Sequence, residues 1–208
     1  MKTGRAIGLP LSIVLATACG GGGGAGATPV IAQSFCADAL FPDPSTSPYV
    51  LPYPPNVSYT MFQGNCSQLG GHRDTFAYDF SHGMGDPITA SRAGTVIIVN
   101  DNFSDDDHIE GHENNVFVEH TDGTVVRYTH LMQDGAMVTV DQQVFQGDIV
   151  SLAGNSGNSS GPHLHFQVFR SRNFDKSNAI PVTFRNAIGT ARTNGELIEG
   201  QVYQADSF

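Results

Sequence analysis

The chain has 208 residues, with Lys+Arg 10 against Asp+Glu 20 and a formal net charge of -10, a length that fits one ordinary domain with a tether. No run of Lys or Arg could neutralise a phosphate backbone, so nucleic acid is not an expected partner. What remains open is an exported or internal protein with room for a sizeable core.

Residues Met1 to Cys19 decide for export. Lys2 and Arg5 form a basic start, Ala6 to Ala16 is apolar, and small residues lead to a cysteine, the order of a secretory signal. The apolar stretch is too short to span a bilayer permanently, which takes about 20 residues. Leu15-Ala16-Thr17-Ala18-Cys19 resembles a bacterial lipobox, which implies a signal peptide over 1–18 and lipidation at Cys19. Gly20 to Ala27 is a glycine-rich spacer without core-forming side chains. Cys36 and Cys66 are then an even pair in an oxidising compartment, and a disulfide between them is expected. Such a bridge stabilises by roughly 3–4 kcal/mol. Prolines at 42, 44, 48, 52, 54 and 55 forbid regular helix or central strand. Residues 19–56 therefore read as linker and lead-in, and the compact domain as 57–208.

Beyond Val57 the ordered segments have strand character: Thr75–Ser81, Thr95–Asn100, Asn115–Thr121, Thr124–Leu131, Met137–Val140, Asp148–Leu152 and His163–Arg170. They are short, rich in Val, Ile, Phe, Tyr and Thr, and bounded by Gly, Asn or Asp. Asp122-Gly123 reads as a two-residue hairpin loop. No stretch has sustained helical periodicity, so the expected class is all-β and antiparallel. Asn102 to Asn114, acidic and polar, reads as an exposed loop.

Eight histidines stand at 72, 82, 108, 112, 120, 130, 163 and 165. In the run from Gly161 to Val168, alternation puts His163 and His165 on one sheet face and Leu164, Phe166 and Val168 on the other. Two imidazoles side by side opposite a core face make sense as a metal ligand and a neighbouring acid/base. A catalytic zinc takes three protein ligands and keeps one position open, so His165 needs company. Asp79 sits in Phe76-Ala77-Tyr78-Asp79-Phe80, its carboxylate opposite three aromatics, and His72 is the only histidine before it. His130 ends the segment Val125 to Leu131.

Together these residues resemble the lysostaphin-type, or LytM-type, zinc metallopeptidases, which carry an upstream His and Asp, a Tyr-x-His-Leu strand and a Gly-Pro-His-Leu-His-Phe strand. The order here is the same. The connecting text matches too, in Gly85-Asp86-Pro87-Ile88-Thr89-Ala90 and Gly94-Thr95-Val96, and in Gln146-Gly147-Asp148-Ile149-Val150 and Gly154-Asn155-Ser156-Gly157. The likeness runs from about Gly71 to Arg170. It implies an antiparallel two-layer β-sandwich behind an irregular N-terminal extension, and one zinc ion on His72, Asp79 and His165. His130 and His163 would be the catalytic histidines that do not bind metal. Many members space the first two ligands as His-x-x-x-Asp, whereas six residues separate His72 from Asp79. A longer loop must fold back, and His82 is the fallback ligand.

The likeness further implies an endopeptidase cutting peptide cross-links of bacterial peptidoglycan. Gly20 after the lipidated Cys19, in place of Asp, looks like the pattern of outer-membrane lipoproteins facing the periplasm. The membrane would then be touched only through the N-terminal lipid. The competing expectation is a catalytically idle wall-binding domain that activates a separate amidase, as in family members that have lost their ligands; here all five polar positions are filled.

Overall fold

Twelve strands and three short 3-10 turns make up the regular structure of the computed structural model, which describes Cys36, residues 38–68 and residues 70–208. The expected signal segment, Cys19 and the glycine spacer lie outside the described residues. Among the described residues there is no α-helix, in keeping with the all-β antiparallel expectation.

The large sheet is built around β10 (His163–Phe169). One neighbour is β2 (Tyr78–Ser81), with His165 opposite Asp79; the other is β6 (Val125–Thr129), with His165 opposite Thr129. The sheet continues outward through β5 (Asn115–Glu119), β4 (Gly94–Asn100) and β8 (Gln143–Val144) on one side. On the other side follow β1 (Ser58–Gln63), β12 (Gln201–Ala205) and β11 (Ala187–Ile188). A second, three-stranded sheet orders β3 (Pro87–Thr89), β9 (Ile149–Ala153) and β7 (Leu131–Ala136). All the pairings are antiparallel.

Strand alternation decides what lies between the layers. Leu164, Phe166 and Val168 of β10 are buried with Tyr78 and Phe80, with Val126 and Tyr128, and with Ile88, Leu131 and Val150 of the small sheet. Each such side chain contributes about 1.5–3 kcal/mol when fully buried. The residues between them, Asp79, His163 and His165, are thereby turned to the opposite face. Phe76 departs from the expected aromatic row: it precedes β2 and packs in a smaller cluster with Phe117, Val125 and Phe169.

Four further sequence expectations change in the folded chain. The lead-in is irregular but not peripheral, because Tyr49, Leu51 and Tyr53 belong to the main core and Val50 N–H donates to the Ser91 carbonyl. The packed body therefore starts before Val57. The segment Thr124–Leu131 is not one strand; it breaks at His130, whose φ of 62° lies in the left-handed region, uncommon for a non-glycine residue. The chain passes there from the large sheet to the small one. Met137–Val140 is not a strand. The loop at Asp122-Gly123 has three residues, closed by Gly123 N–H to His120 O at 2.9 Å, with Gly123 at φ 81°. Thr121 and Asp122 form the corner and glycine takes the left-handed place after it.

Cys36 and Cys66 are joined, as expected, with Cα atoms 6.1 Å apart, inside the normal range. The bridge holds the segment that carries His72, since Cys66 N–H donates to Thr75 O and Thr75 N–H to His72 O.

Two histidines outside the site are buried with unmet polar atoms, His82 at both ring nitrogens and His120 at Nε2. Burial pushes both down to about 4. Their folded pKa thus lies below the unfolded value of about 6.5, so between these values the unfolded chain binds more protons. The stability they support is full above pH 6.5 and is lost as pH falls towards 4. Each should account for up to about 2 kcal/mol of loss between pH 7.5 and 5. Urea unfolding of the wild type and of His82→Phe at both pH values checks this; an unchanged pH slope in the variant would contradict it.

Candidate metal centre

Three side chains from distant parts of the chain meet on the exposed side of the large sheet. His72 ends a 3-10 turn at Gly70–His72, Asp79 lies on β2 and His165 on β10. Asp79 Oδ1 is 2.9 Å from His165 Nδ1 and 3.1 Å from His72 Nε2, and the two ring nitrogens are 3.1 Å apart. The outer nitrogens assign the tautomers. His72 Nδ1 is 2.9 Å from Gly64 O and His165 Nε2 is 3.4 Å from Gln167 Oε1, so each outer nitrogen donates. Gln167 is in turn fixed through its Nε2, which donates to Thr75 Oγ1 and Phe76 O. Both inner nitrogens then carry lone pairs aimed at each other and at a carboxylate.

Such a triangle of three acceptors repels itself unless a cation sits among them. Ligands about 2.0–2.2 Å from a tetrahedral zinc lie roughly 3.3 Å from one another, close to the sides of this triangle. The donor set of two neutral imidazoles and one carboxylate fits zinc, and the outer hydrogen bonds are the kind that orient metal-bound histidines. Burial alone would raise the Asp79 pKa, but the two imidazoles beside it, His165 and His72, outweigh burial and hold the carboxyl below its ordinary range. Burial also disfavours the charged form of His165. Asp79 and His165 are thus held in the protonation states a metal requires.

His82, the fallback ligand, stays outside the group and packs on Tyr59 with ring centroids 3.7 Å apart. His130 and His163 flank the triangle, with ring centroids 4.5 Å from each other, and His163 Nε2 is 4.0 Å from Asp79 Oδ2. His130 Nδ1 donates to Ser156 O at 2.8 Å, and His163 Nδ1 to Gly161 O at 2.9 Å. Each therefore keeps a free Nε2 lone pair. Burial, with the neighbouring His163 and His165, pushes His130 down to about 3, so it is neutral near pH 7.

Asn114, which has no obvious signature in the sequence, holds His130 in its strained position together with Ser156 and Gly154 of the Gly154–Gly157 text. Asn114 is fully buried; its carbonyl accepts from Leu131 N–H, its Nδ2 donates to Leu131 O, and its N–H donates to Ser156 Oγ. Ser156 Oγ donates to Leu131 O, and Gly154 N–H donates to His130 O. A Cβ at Gly154 would collide with the Met132 backbone and with Asp105 Oδ1, which explains glycine there. The acidic loop 102–114 is thereby tied down, and Glu110 and Glu113 form one wall of a cleft of about 740 Å³ that contains the triangle.

The sequence pattern of Peptidase family M23 matches residues 73–179, just over half of the chain. The chain belongs to Peptidase family M23. His72 lies one residue before the matched span, where the spacing to Asp79 is longer than in many members. Over 106 residues the chain is 34% identical to the peptidoglycan DD-endopeptidase ShyB of Vibrio cholerae serotype O1, covering 50% of this chain and 23% of that protein. It is 28% identical over 89 residues to the DD-carboxypeptidase/endopeptidase Mpg of Neisseria meningitidis serogroup B, covering 43% and 18%. The match thus spans less than a quarter of each of these relatives. The solved structure of the deep-sea M23 metalloprotease pseudoalterin aligns with a TM-score of 0.50 at 16% identity, covering 77% of this chain and 96% of that one, a likeness of fold.

Proposed function

We propose that this chain is a zinc-dependent endopeptidase that hydrolyses peptide cross-links in bacterial peptidoglycan. The observation that carries the reading is the triangle of His72 Nε2, Asp79 Oδ1 and His165 Nδ1, with two further imidazole lone pairs beside it. His72, Asp79 and His165 would hold the ion. Zinc bound there would polarise a peptide carbonyl and lower the pKa of a water towards about 7.

The rest of the work falls to this chain's own residues. His163 and His130 each tie Nδ1–H to a backbone carbonyl, so in the resting state each can accept a proton at Nε2 but cannot donate one. His163, within 4.0 Å of Asp79, takes the proton from the attacking water. Having gained a proton, it can deliver it to the leaving amine. His130, neutral and rigidly held, receives a proton or steers the water from the other side. The cleft walls, including exposed Phe62, position the peptide.

The named relatives act on D,D bonds, and the same bond class is the substrate proposed here. The N-terminal pattern supports export to the envelope through a signal at 1–18, lipid attachment at Cys19 and an outer-membrane position facing the periplasm, with the glycine-rich stretch 20–27 as the tether. Purified protein should release cross-linked muropeptides from isolated sacculi, lose that activity with a chelator and regain it on addition of zinc. Sacculi left intact by zinc-loaded protein would overturn the reading.

A further inference from the structure

The cleft holds a cation that the chemistry above leaves unused. Arg127 lies on β6 one step beyond Thr129, which faces His165 across the strand pair. Arg127 is therefore the diagonal neighbour of His165, at a Cα separation of about 7–8 Å, with its side chain on the same face. It also lines the cleft.

Elsewhere Arg92 pairs with Asp122, Arg172 with Glu119 and Arg192 with Glu196. Among the described residues Arg127 has no such carboxylate. Its Nε donates to Thr129 Oγ1 at 2.6 Å and its guanidinium lies 6.0 Å from the Phe117 ring centroid. Burial holds its pKa below the usual guanidinium value, opposed only by the charge of Glu113. A partly desolvated guanidinium without a carboxylate in ion-pair contact is costly, and the fork of Nη atoms matches a carboxylate in two-point contact. Fixing Nε on Thr129 orients that fork in advance.

We propose that Arg127 is the anchor for a free carboxylate of the substrate, set next to the scissile bond. The inference rests on the endopeptidase reading for its substrate. In a D,D cross-link the scissile amide nitrogen sits on a carbon that also bears a carboxylate, so acid and cleaved bond arrive together. Arg127 would select such peptides over neutral bridges such as glycine chains.

The test uses full-length zinc-loaded protein with two probes, N-acetyl-D-alanyl-D-alanine and its C-terminal carboxamide, binding being measured by calorimetry. Wild type should bind the acid about 10-fold to 100-fold more tightly than the amide, the range for a charge-assisted hydrogen bond. Arg127→Gln should bind both with the affinity of the wild-type amide complex, and Arg127→Lys should keep part of the preference. Zinc content and melting temperature confirm that each variant is folded and loaded. Equal binding of the two probes by wild type would overturn the proposal, and so would a full preference retained in folded Arg127→Gln, since the carboxylate would then be held elsewhere. Sacculus digestion is scored separately: intact sacculi with a preserved probe preference would sink the endopeptidase reading and leave the anchor standing.

Discussion

Replacing His165 with alanine should strip the protein of zinc and of measurable hydrolysis together. Its Nδ1 is within 3.1 Å of both other inner atoms, and no other imidazole nitrogen among the described residues completes the same group. Asp79→Ala should do the same, because it removes the single oxygen that both inner histidine nitrogens face within 3.1 Å. Zinc affinity should fall by more than the 10–100-fold that follows loss of an outer hydrogen-bond partner. His72→Ala is the sharper trial, because His72 lies outside the stretch matched by the family and reaches the site on a longer loop. Its Nε2 is as close to Asp79 as the geometry of a shared ion demands, so its loss should equal that of His165. Metal analysis after dialysis decides: His72→Ala retaining one zinc per chain would remove it from the ligand set. Gln167→Leu, which frees His165 Nε2 without touching the triangle, should weaken zinc only within the 10–100-fold range.

The legibility of this site in the sequence follows from how local each feature is. The two faces of β10 were readable because strand alternation is a property of neighbouring residues: a histidine row opposite Leu164, Phe166 and Val168 leaves little freedom. Asp79 was readable for the same reason. His130 was not readable as a strained residue, because its φ of 62° is imposed by Asn114, Ser156 and Gly154, which are near it only in space. Read locally, Val125 to Leu131 is one strand. The core role of Tyr49, Leu51 and Tyr53 was hidden by the prolines around them, which forbid ladder hydrogen bonds but do not prevent extended chain from packing. Strands β1, β11 and β12 have polar or mixed sequences and acquire order by pairing with one another. Arg127 looks like an ordinary exposed strand residue until the register sets it diagonally from His165. Family likeness supplied the roles of the five polar residues, which no periodicity could assign.

His163 and His165 stand two residues apart on one strand, yet substitution should separate them. His163→Ala leaves all three inner atoms of the triangle in place, so the protein should keep its zinc while turnover falls about 10²–10⁴-fold, the range for loss of a positioned proton-transfer group. The difference originates in the hydrogen bonds: His165 turns Nδ1 inward because Gln167 occupies Nε2, whereas His163 spends Nδ1–H on Gly161 O and presents Nε2 4.0 Å from the Asp79 carboxylate. His130→Ala should resemble His163→Ala in keeping zinc, since its Nδ1 is tied to Ser156 O and its ring centroid is 6.1 Å from that of His165. It should also relax the backbone, because alanine tolerates the left-handed conformation poorly, so a lower melting temperature is expected for His130→Ala and not for His163→Ala. The double variant should lose little more than the worse single one, because groups that move protons as a unit are not additive. Zinc content, melting temperature and sacculus digestion measured on the same preparations separate these outcomes. Loss of zinc from His163→Ala, with His165→Ala fully loaded, would exchange the two roles; digestion at the wild-type rate by His163→Ala would remove it from the proton path and leave His130 as the sole base.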